Sequence, residues 1–479
     1  MITSTRALRQ SERPRQGPDG RDEQSRDELT DGEQSPTEED MPAASWLTPP
    51  VGTRDVLPPE ATERRALSRA LLSVYAEHGY ALVTTPPFER IDVLERLGTL
   101  RASEVLQFVD ADTGEVAVFR PDITPQIARL VATRLRDRPP PYRLAYEGHV
   151  LRRRLGRARR QRQIAQCGLE CIGLPGAQGE AEIIEVAIAA LTRVGLAQFR
   201  VELALVPLVR TLLEQVPTAQ RSEAAEALAR KDGRALARAT KATDARTRDV
   251  LAALIDLHGD LAVLAAARRV LKGHPDLLGE LSRLEALAKT LVARDLGERL
   301  VVDLGEVRGF GYYTGPSFAL LAEGPGEPIG SGGRYDDLLG RFGHPAPGAG
   351  FALDLDHLAW ALRAAGAAPA PAPEIDCAIL AANKRTADAR AVASELRSKS
   401  IRVADLGSRK LDEGRAWCQA WSVPLLVELT ARGIVLHASD GAGAGAVMHD
   451  AAELAQHLAP SRRTKNTERP KSGRTKRSR

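Results

Sequence analysis

The sequence predicts an α+β protein: a sheet flanked by helices, broken by a helical insertion and followed by a small α/β domain. Three observations lead there. Two long runs with strand character, Tyr142–Leu151 and Gln163–Gly173, are joined by an Arg-rich turn. The stretch from Pro207 to Arg299 is rich in Ala, Leu, Arg and Glu, has helical periodicity without a strand signal, and lies between strand-rich regions. Beyond an Ala/Pro segment, short strands and helices alternate, the pattern of a small α/β unit. With 479 residues the chain is long enough for about three domains of ordinary size.

Residues 1–45 are rich in Arg, Asp, Glu, Gln, Ser and Pro. They cannot bury enough apolar surface to offset chain entropy, so a disordered tail is expected. The core is expected over 46–366. There, Pro59–His78 reads as an amphipathic helix, with Leu67, Ala70, Leu71 and Val74 at helical spacing and Gly79 as its stop. Tyr80–Thr85 reads as a strand ended by Pro86-Pro87. Val105–Val109 and Val116–Phe119 read as a hairpin turning at Asp112-Thr113-Gly114. A helix follows at Thr124-Pro125, where Thr suits the N-cap and Pro the first helical position, and Ile127, Leu130, Val131 and Leu135 give it a buried face. After the two long strands come a helix at Glu180–Val194, a strand near Phe199–Ala204 and the insertion at about 207–299. Strands resume at Leu300–Leu304 and Thr314–Leu321. Ile329–Gly343 reads as a Gly-rich loop with a short helix, and Leu355–Ala364 as the closing helix. A linker is expected at 367–374. In the α/β domain, 375–460, strands at Cys377–Ala381, Ile401–Ala404, Val423–Glu428 and Ile434–Ala438 alternate with helices at Thr386–Ser398, Asp412–Trp421 and Ala452–Leu458.

Composition is that of an ordinary globular protein, 43% hydrophobic and 27% charged. The net charge of +4 is small but uneven: residues 461–479 hold nine Lys/Arg against one Glu. Such a basic tail is either a solvated, disordered end or a contact for nucleic acid or membrane phosphate. No apolar run reaches the roughly 18–20 residues needed to span a bilayer, and the N-terminus lacks a secretory apolar core. Four cysteines, Cys167, Cys171, Cys377 and Cys418, show no zinc-ribbon spacing and suit a reducing cytoplasm. The nine histidines form no ligand pair, so neither a metal nor another cofactor is expected.

Chemistry concentrates in a few segments. In Phe119-Arg-Pro-Asp-Ile-Thr-Pro, Asp122 and Thr124 sit where a strand end feeds a helix N-terminus. There they either cap the helix or meet an ammonium and a carboxylate. In Gln163–Gly173, alternation puts Gln166, Gly168 and Glu170 on one strand face, opposite Cys167 and Cys171, which read as small core residues. Gln and Glu with Gly between them suit a polar ligand. Arg308-Gly-Phe-Gly-Tyr-Tyr-Thr offers a cation and two phenols beside flexible backbone, and Gly330–Asp336 lets backbone approach a ligand closely. Seven of the eleven residues in Arg152–Arg162 are Arg, a cluster that either meets phosphates or is solvated as a loop.

Taken in order, Gly52-Thr-Arg-Asp, Arg120-Pro-Asp-Ile-Thr, Gly148-His-Val-Leu-Arg152, Gln166-Cys-Gly-Leu-Glu170, Tyr312-Tyr-Thr and Gly332-Gly-Arg-Tyr-Asp336 resemble the histidyl-tRNA synthetase family and its paralogues, the regulatory subunits of ATP phosphoribosyltransferase. The resemblance runs from about Pro50 to Trp360. It implies a class II aminoacyl-tRNA synthetase-like core, an antiparallel sheet flanked by helices, and a C-terminal domain like a degenerate anticodon-binding domain. It also implies a histidine pocket made by Asp122, Thr124, Arg152, Gln166, Glu170, Arg308, Tyr312 and Tyr313. On the ATP side the chain departs from a synthetase. Arg152-Arg153-Arg154 replaces Arg-x-Glu, Ile164 replaces an adenine-stacking Phe, and the Gly, Glu and Arg of the third motif become Asp354, Asp356 and His357. An imidazole is a poor substitute for a positioned guanidinium at phosphate. The resemblance therefore implies a non-catalytic subunit that senses L-histidine, required for the first step of histidine biosynthesis and for its feedback inhibition. Its expected partner is a short-form ATP phosphoribosyltransferase catalytic subunit, with a homodimer core inside a hetero-octamer and neither membrane nor nucleic acid as a partner. Retained Arg308 and the C-terminal domain keep a histidyl-tRNA synthetase as the alternative. An RNA-binding paralogue using the Arg cluster and the tail is a third reading.

Overall fold

The computed structural model describes residues 47–96, 105–153, 161–307, 313–368, 374–381, 385–431, 433–440 and 446–458. The expected tails at 1–45 and 461–479 and most of the expected linker therefore lie outside the described residues. From Pro50 onward the described residues form one compact unit.

The first helix, α1 (Glu60–Glu77), buries Leu67, Leu71, Val74 and Tyr75 and ends at Gly79, whose φ of +83° suits glycine. Then come β1 (Ala81–Leu82), β2 (Phe88–Arg90), α2 (Ile91–Glu95), β3 (Gln107–Val109), β4 (Val116–Phe119), α3 (Thr124–Arg134), β5 (Tyr142–Leu151), β6 (Gln163–Ile172), α4 (Ala177–Arg193) and β7 (Arg200–Leu205). Helices α5 (Val206–Glu214), α6 (Arg221–Ala229), α7 (Gly233–Ala239) and α8 (Ala245–Leu254) follow. After them come β8 (His258–Gly259), α9 (Val263–Val270) and α10 (Pro275–Val292). Strands β9 (Leu300–Asp303), β10 (Pro316–Leu321), β11 (Gly330–Arg334) and β12 (Gly348–Asp354) lead to α11 (Leu355–Ala364).

Nine strands form the main sheet in the order β1-β5-β6-β12-β11-β10-β7-β9-β8. It is antiparallel through its centre and parallel where β1 joins β5 and β9 joins β7. The expected antiparallel sheet is thus a mixed one. A three-stranded sheet, β2-β4-β3, stands beside it.

Four local expectations are corrected. The strand expected at Tyr80–Thr85 shrinks to β1. The insertion contains a strand after all, since β8 pairs with β9 at the sheet edge. The Gly-rich segment expected as a loop is the central strand β11, with a 3-10 turn at Leu339–Phe342. Glycine is needed there because neighbouring strands leave no room. A Cβ at Gly333 would lie 2.9 Å from Ser317, and one at Gly332 would strike Phe351. Finally, Thr124 is the first residue of α3 and not its N-cap. That position is Ile123, with no side-chain cap.

The two faces of the main sheet differ in kind. Register and alternation put Cys167, Leu169, Cys171, Phe351, Leu353, Phe318, Leu320, Leu203 and Val201 on one face, where they join α1, α4 and α11 in the largest apolar core. On the opposite face, Gly148, Gly168, Gly350, Ala352, Gly333, Ser331 and Ser317 leave the backbone nearly bare. At the β5–β6 end this second face is covered by α3 and the 3-10 turn, through Ile123, Ile127, Val131, Tyr146, Tyr335 and Leu339.

Residues 377–458 contribute β13 (Cys377–Ala381), α12 (Thr386–Ser398), β14 (Val403–Asp405), α13 (Leu411–Ala420), β15 (Leu425–Thr430), β16 (Gly433–Ala438), β17 (Ala446–Met448) and α14 (Ala451–Leu458). The sheet order is β14-β13-β15-β16-β17. Alternation along β13 sends Cys377 and Ile379 toward α12 and α14, and Ala378 and Leu380 toward α13. No helix among the described residues is long and apolar enough to cross a membrane.

Candidate functional site

The bare face of the sheet ends in a buried carboxyl. Glu170 of β6 is 1% exposed and accepts hydrogen bonds from Thr124 Oγ1 at 2.6 Å, Tyr146 Oη at 3.2 Å and the Tyr335 hydroxyl. Burial pushes its pKa up to about 8, the nearby Asp122 charge adds to the rise, and the hydroxyl donors work against it. Gly350 lies directly across from Glu170, and a Cβ there would occupy the place of the carboxylate. Gly168 is glycine for a similar reason: a Cβ would come 2.7 Å from the Tyr146 hydroxyl.

Four positions before Glu170 on the same strand face, Gln166 is 8% exposed, and its amide oxygen has no hydrogen-bond partner among the described residues. A buried acceptor left unpaired costs about 1–3 kcal/mol, which a ligand N–H would recover. Gln166 and Glu170 thus aim two acceptors over a floor of small residues.

Asp122 and Thr124 reach this place because Arg120 pins the β4–α3 junction. Its buried guanidinium donates to the carbonyls of Thr85 (3.0 Å), Pro86 (3.1 Å) and His149 (2.8 Å) and to Thr85 Oγ1 (2.9 Å). Gly148 leaves the space that this guanidinium fills. With the junction fixed, Asp122 Oδ1 accepts the Thr124 amide at 3.2 Å, and the Thr124 hydroxyl is turned to Glu170.

The structure therefore brings together Asp122, Thr124 and Glu170, with Gln166 four positions along β6 on the same face. Tyr313 is half-buried against the cluster that contains Tyr146 and Tyr335, and its carbonyl accepts from Arg210 at 3.1 Å. Arg152 is exposed, with Nε donating at 3.1 Å to the carbonyl of Pro121, the residue before Asp122. Arg308, Tyr312 and Arg154 lie outside the described residues. Tyr146 and Tyr335 were missed as site residues. The signal for Tyr146 was its place two residues before Gly148 on the same strand face, and Tyr335 stood inside the Gly332–Asp336 motif.

The third-motif positions are occupied by local structure. Asp354 caps α11, its Oδ1 accepting the amides of Asp356 (3.0 Å) and His357 (3.2 Å). Those amides would otherwise be available to an anion at a helix N-terminus. The His357 Nδ1 lies 3.1 Å from the Pro328 carbonyl, which makes it the donor, and 3.7 Å from Asp354 Oδ2. Asp356 pairs with Arg64 and, at 3.5 Å, with Arg54. Ile164 is buried in the cluster under α3. At the start of α11 the Asp354 cap takes the free amides and Asp356 takes up Arg64 and Arg54, so no unpaired cation is presented there among the described residues.

The histidyl-tRNA synthetase family model matches residues 52–358. An ATP phosphoribosyltransferase regulatory subunit from Anaeromyxobacter dehalogenans (strain 2CP-1) is 43% identical over 323 residues, covering 66% of this chain and 92% of the relative. One from Moorella thermoacetica is 38% identical over 374 residues, covering 77% and 94%. Among solved structures, an ATP phosphoribosyltransferase regulatory subunit/histidyl-tRNA synthetase from Bacillus halodurans superposes with a TM-score of 0.69 at 27% identity, covering 81% of this chain and 99% of the other. The class II synthetase-like core is thereby shown, and the chain belongs to the family of ATP phosphoribosyltransferase regulatory subunits, built on the histidyl-tRNA synthetase fold.

Proposed function

We infer that this chain is a cytoplasmic, non-catalytic regulatory subunit that binds L-histidine and adjusts a short-form ATP phosphoribosyltransferase catalytic subunit. The observation that carries the histidine reading is the pair of buried acceptors, Glu170 and the unpartnered Gln166 oxygen, on the bare sheet face. Histidine is rich in N–H donors and fits such acceptors, with Asp122 close by for its ammonium group. Tyr313 stands at the edge of the same cluster, and Arg308 and Tyr312 complete the proposed set. Arg152, bonded to the Pro121 carbonyl beside Asp122, is the proposed partner of the ligand carboxylate.

The absence of catalysis is inferred from the third motif and from Ile164. Asp354 closes the helix N-terminus, His357 is turned to Pro328, and Ile164 is sunk in the core. Binding energy alone does not regulate: histidine must prefer one state of the complex over another. A homodimer core within a hetero-octamer, and a C-terminal sheet descended from an anticodon-binding domain, belong to the same proposal.

The test is to mix the purified chain with a short-form catalytic subunit and measure phosphoribosyl transfer to ATP, with and without histidine. Stimulation by this chain, reversed by histidine, is the expected outcome. No effect on the catalytic subunit, together with histidine-dependent ATP–pyrophosphate exchange by this chain alone, would replace the reading with a histidyl-tRNA synthetase.

A further inference from the structure

A short piece of chain ties the helical insertion to the buried carboxyl. Thr314 bonds to the backbone on both sides of Tyr335: its amide donates to the Arg334 carbonyl at 2.8 Å, and its hydroxyl accepts the Asp336 amide at 2.8 Å. Tyr335 in turn donates its hydroxyl to Glu170. From the other side the same segment is held by the insertion. Arg210 of α5 donates to the Tyr313 carbonyl at 3.1 Å, and Arg283 of α10 donates to the Thr314 carbonyl at 3.1 Å. Arg283 is oriented by Glu280, one turn earlier, at 3.1 Å. Gly315 leaves room for its guanidinium, since a Cβ there would lie 2.7 Å from Nη2.

These two bonds are not what docks the insertion. Leu208, Val209 and Leu212 of α5 and Leu277, Leu281 and Leu284 of α10 are buried in the main core and supply that adhesion. Guanidinium groups on two successive carbonyls instead fix where one short segment sits, with charge-assisted bonds. We propose that Arg210 and Arg283 are positioning residues through which the insertion sets Tyr335, and with it the Glu170 carboxyl, so that movement of the insertion changes histidine affinity. This rests on the reading of the Glu170 site as the histidine pocket.

The test uses the full chain with Arg210→Ala/Arg283→Ala, and Arg210→Lys/Arg283→Lys as the conservative pair. Site-resolved hydrogen exchange without ligand reads the mechanical link. The Thr314 and Asp336 amides should exchange at least about tenfold faster in the alanine variant, while amides of the sheet at 377–448 stay unchanged. Calorimetry reads the second half: histidine affinity should fall by about tenfold in the alanine variant and recover in the lysine pair, which keeps a donor at each carbonyl. Unchanged exchange at Thr314 and Asp336 overturns the proposal whether or not histidine binds. Faster exchange with unchanged affinity overturns the link to the pocket. A wild-type chain that binds no histidine overturns the pocket reading and the affinity half with it, and exchange then decides the mechanical half alone.

Discussion

Glu170→Gln should abolish a pH dependence of stability that the wild-type chain carries. An ordinary glutamate titrates at 4.5, and burial raises this one to about 8. Below pH 4.5 native and unfolded chains both hold the proton, and the group contributes fully to the native state. Between the two values only the native state holds it, so unfolding releases a proton and rising pH favours unfolding. Above 8 the contribution is gone. At about 1.4 kcal/mol for each pH unit, the loss across the window is roughly 4–5 kcal/mol. Glutamine adds an offset through its amide hydrogens, but an offset does not vary with pH. Urea unfolding of both proteins at unit steps from pH 5 to 9, without histidine, gives the difference in unfolding free energy, in which other titrating groups cancel. The variant should gain on the wild type by several kcal/mol across that range. A difference that stays flat within about 1 kcal/mol would refute a neutral, buried carboxyl at this position.

Three further outcomes follow from the same geometry. Gly350→Ala places a methyl on the Glu170 carboxylate and against the Leu169 carbonyl, and should cost about 3 kcal/mol and abolish histidine binding; an unchanged melting temperature would contradict the crowding. Arg334→Met leaves Glu180, 3% exposed, without the guanidinium that holds it at 2.6 Å, and should cost about 3–5 kcal/mol by thermal melting. Adding Glu180→Gln should recover much of that loss. His357→Arg should not create ATP–pyrophosphate exchange, because Asp354 still caps α11 and Ile164 still fills the core; detectable exchange would show that one cation suffices.

What the sequence made legible was periodicity. The alternation in β6 separated Gln166 and Glu170 from Cys167 and Cys171, and the structure puts those cysteines in the apolar core. The amphipathic pattern of α1 likewise marked the buried Leu67, Leu71 and Val74, though not Ser68 or Tyr75. What it hid was whatever depends on a neighbour distant in sequence. The glycines of β11 have low intrinsic strand preference and read as a loop, yet Ser317 and Phe351 on flanking strands require them. Thr124 has the residue type of a cap. Only the approach of Glu170, 46 positions later, shows why its hydroxyl is turned elsewhere. The ordered family motifs supplied the other residues of the expected site. Even they did not mark Tyr146, whose role comes from its register opposite Gly168.

The bare sheet face sets a limit on how this pocket can change. At Gly148, Gly168, Gly333 and Gly350 there is no smaller amino acid to substitute, so any mutation at these four positions adds bulk against Arg120, Tyr146, Ser317 or Glu170. A lineage seeking a bulkier effector could trim Ala352, Ser331 or Ser317 only slightly, and would otherwise have to open the walls at Tyr146, Tyr335 or Gln166. Two of those three also bond to the carboxyl that defines the site. At the four glycines change therefore runs one way: single substitutions can only crowd the face, and substantial new space would have to come from residues that bond to the Glu170 carboxyl.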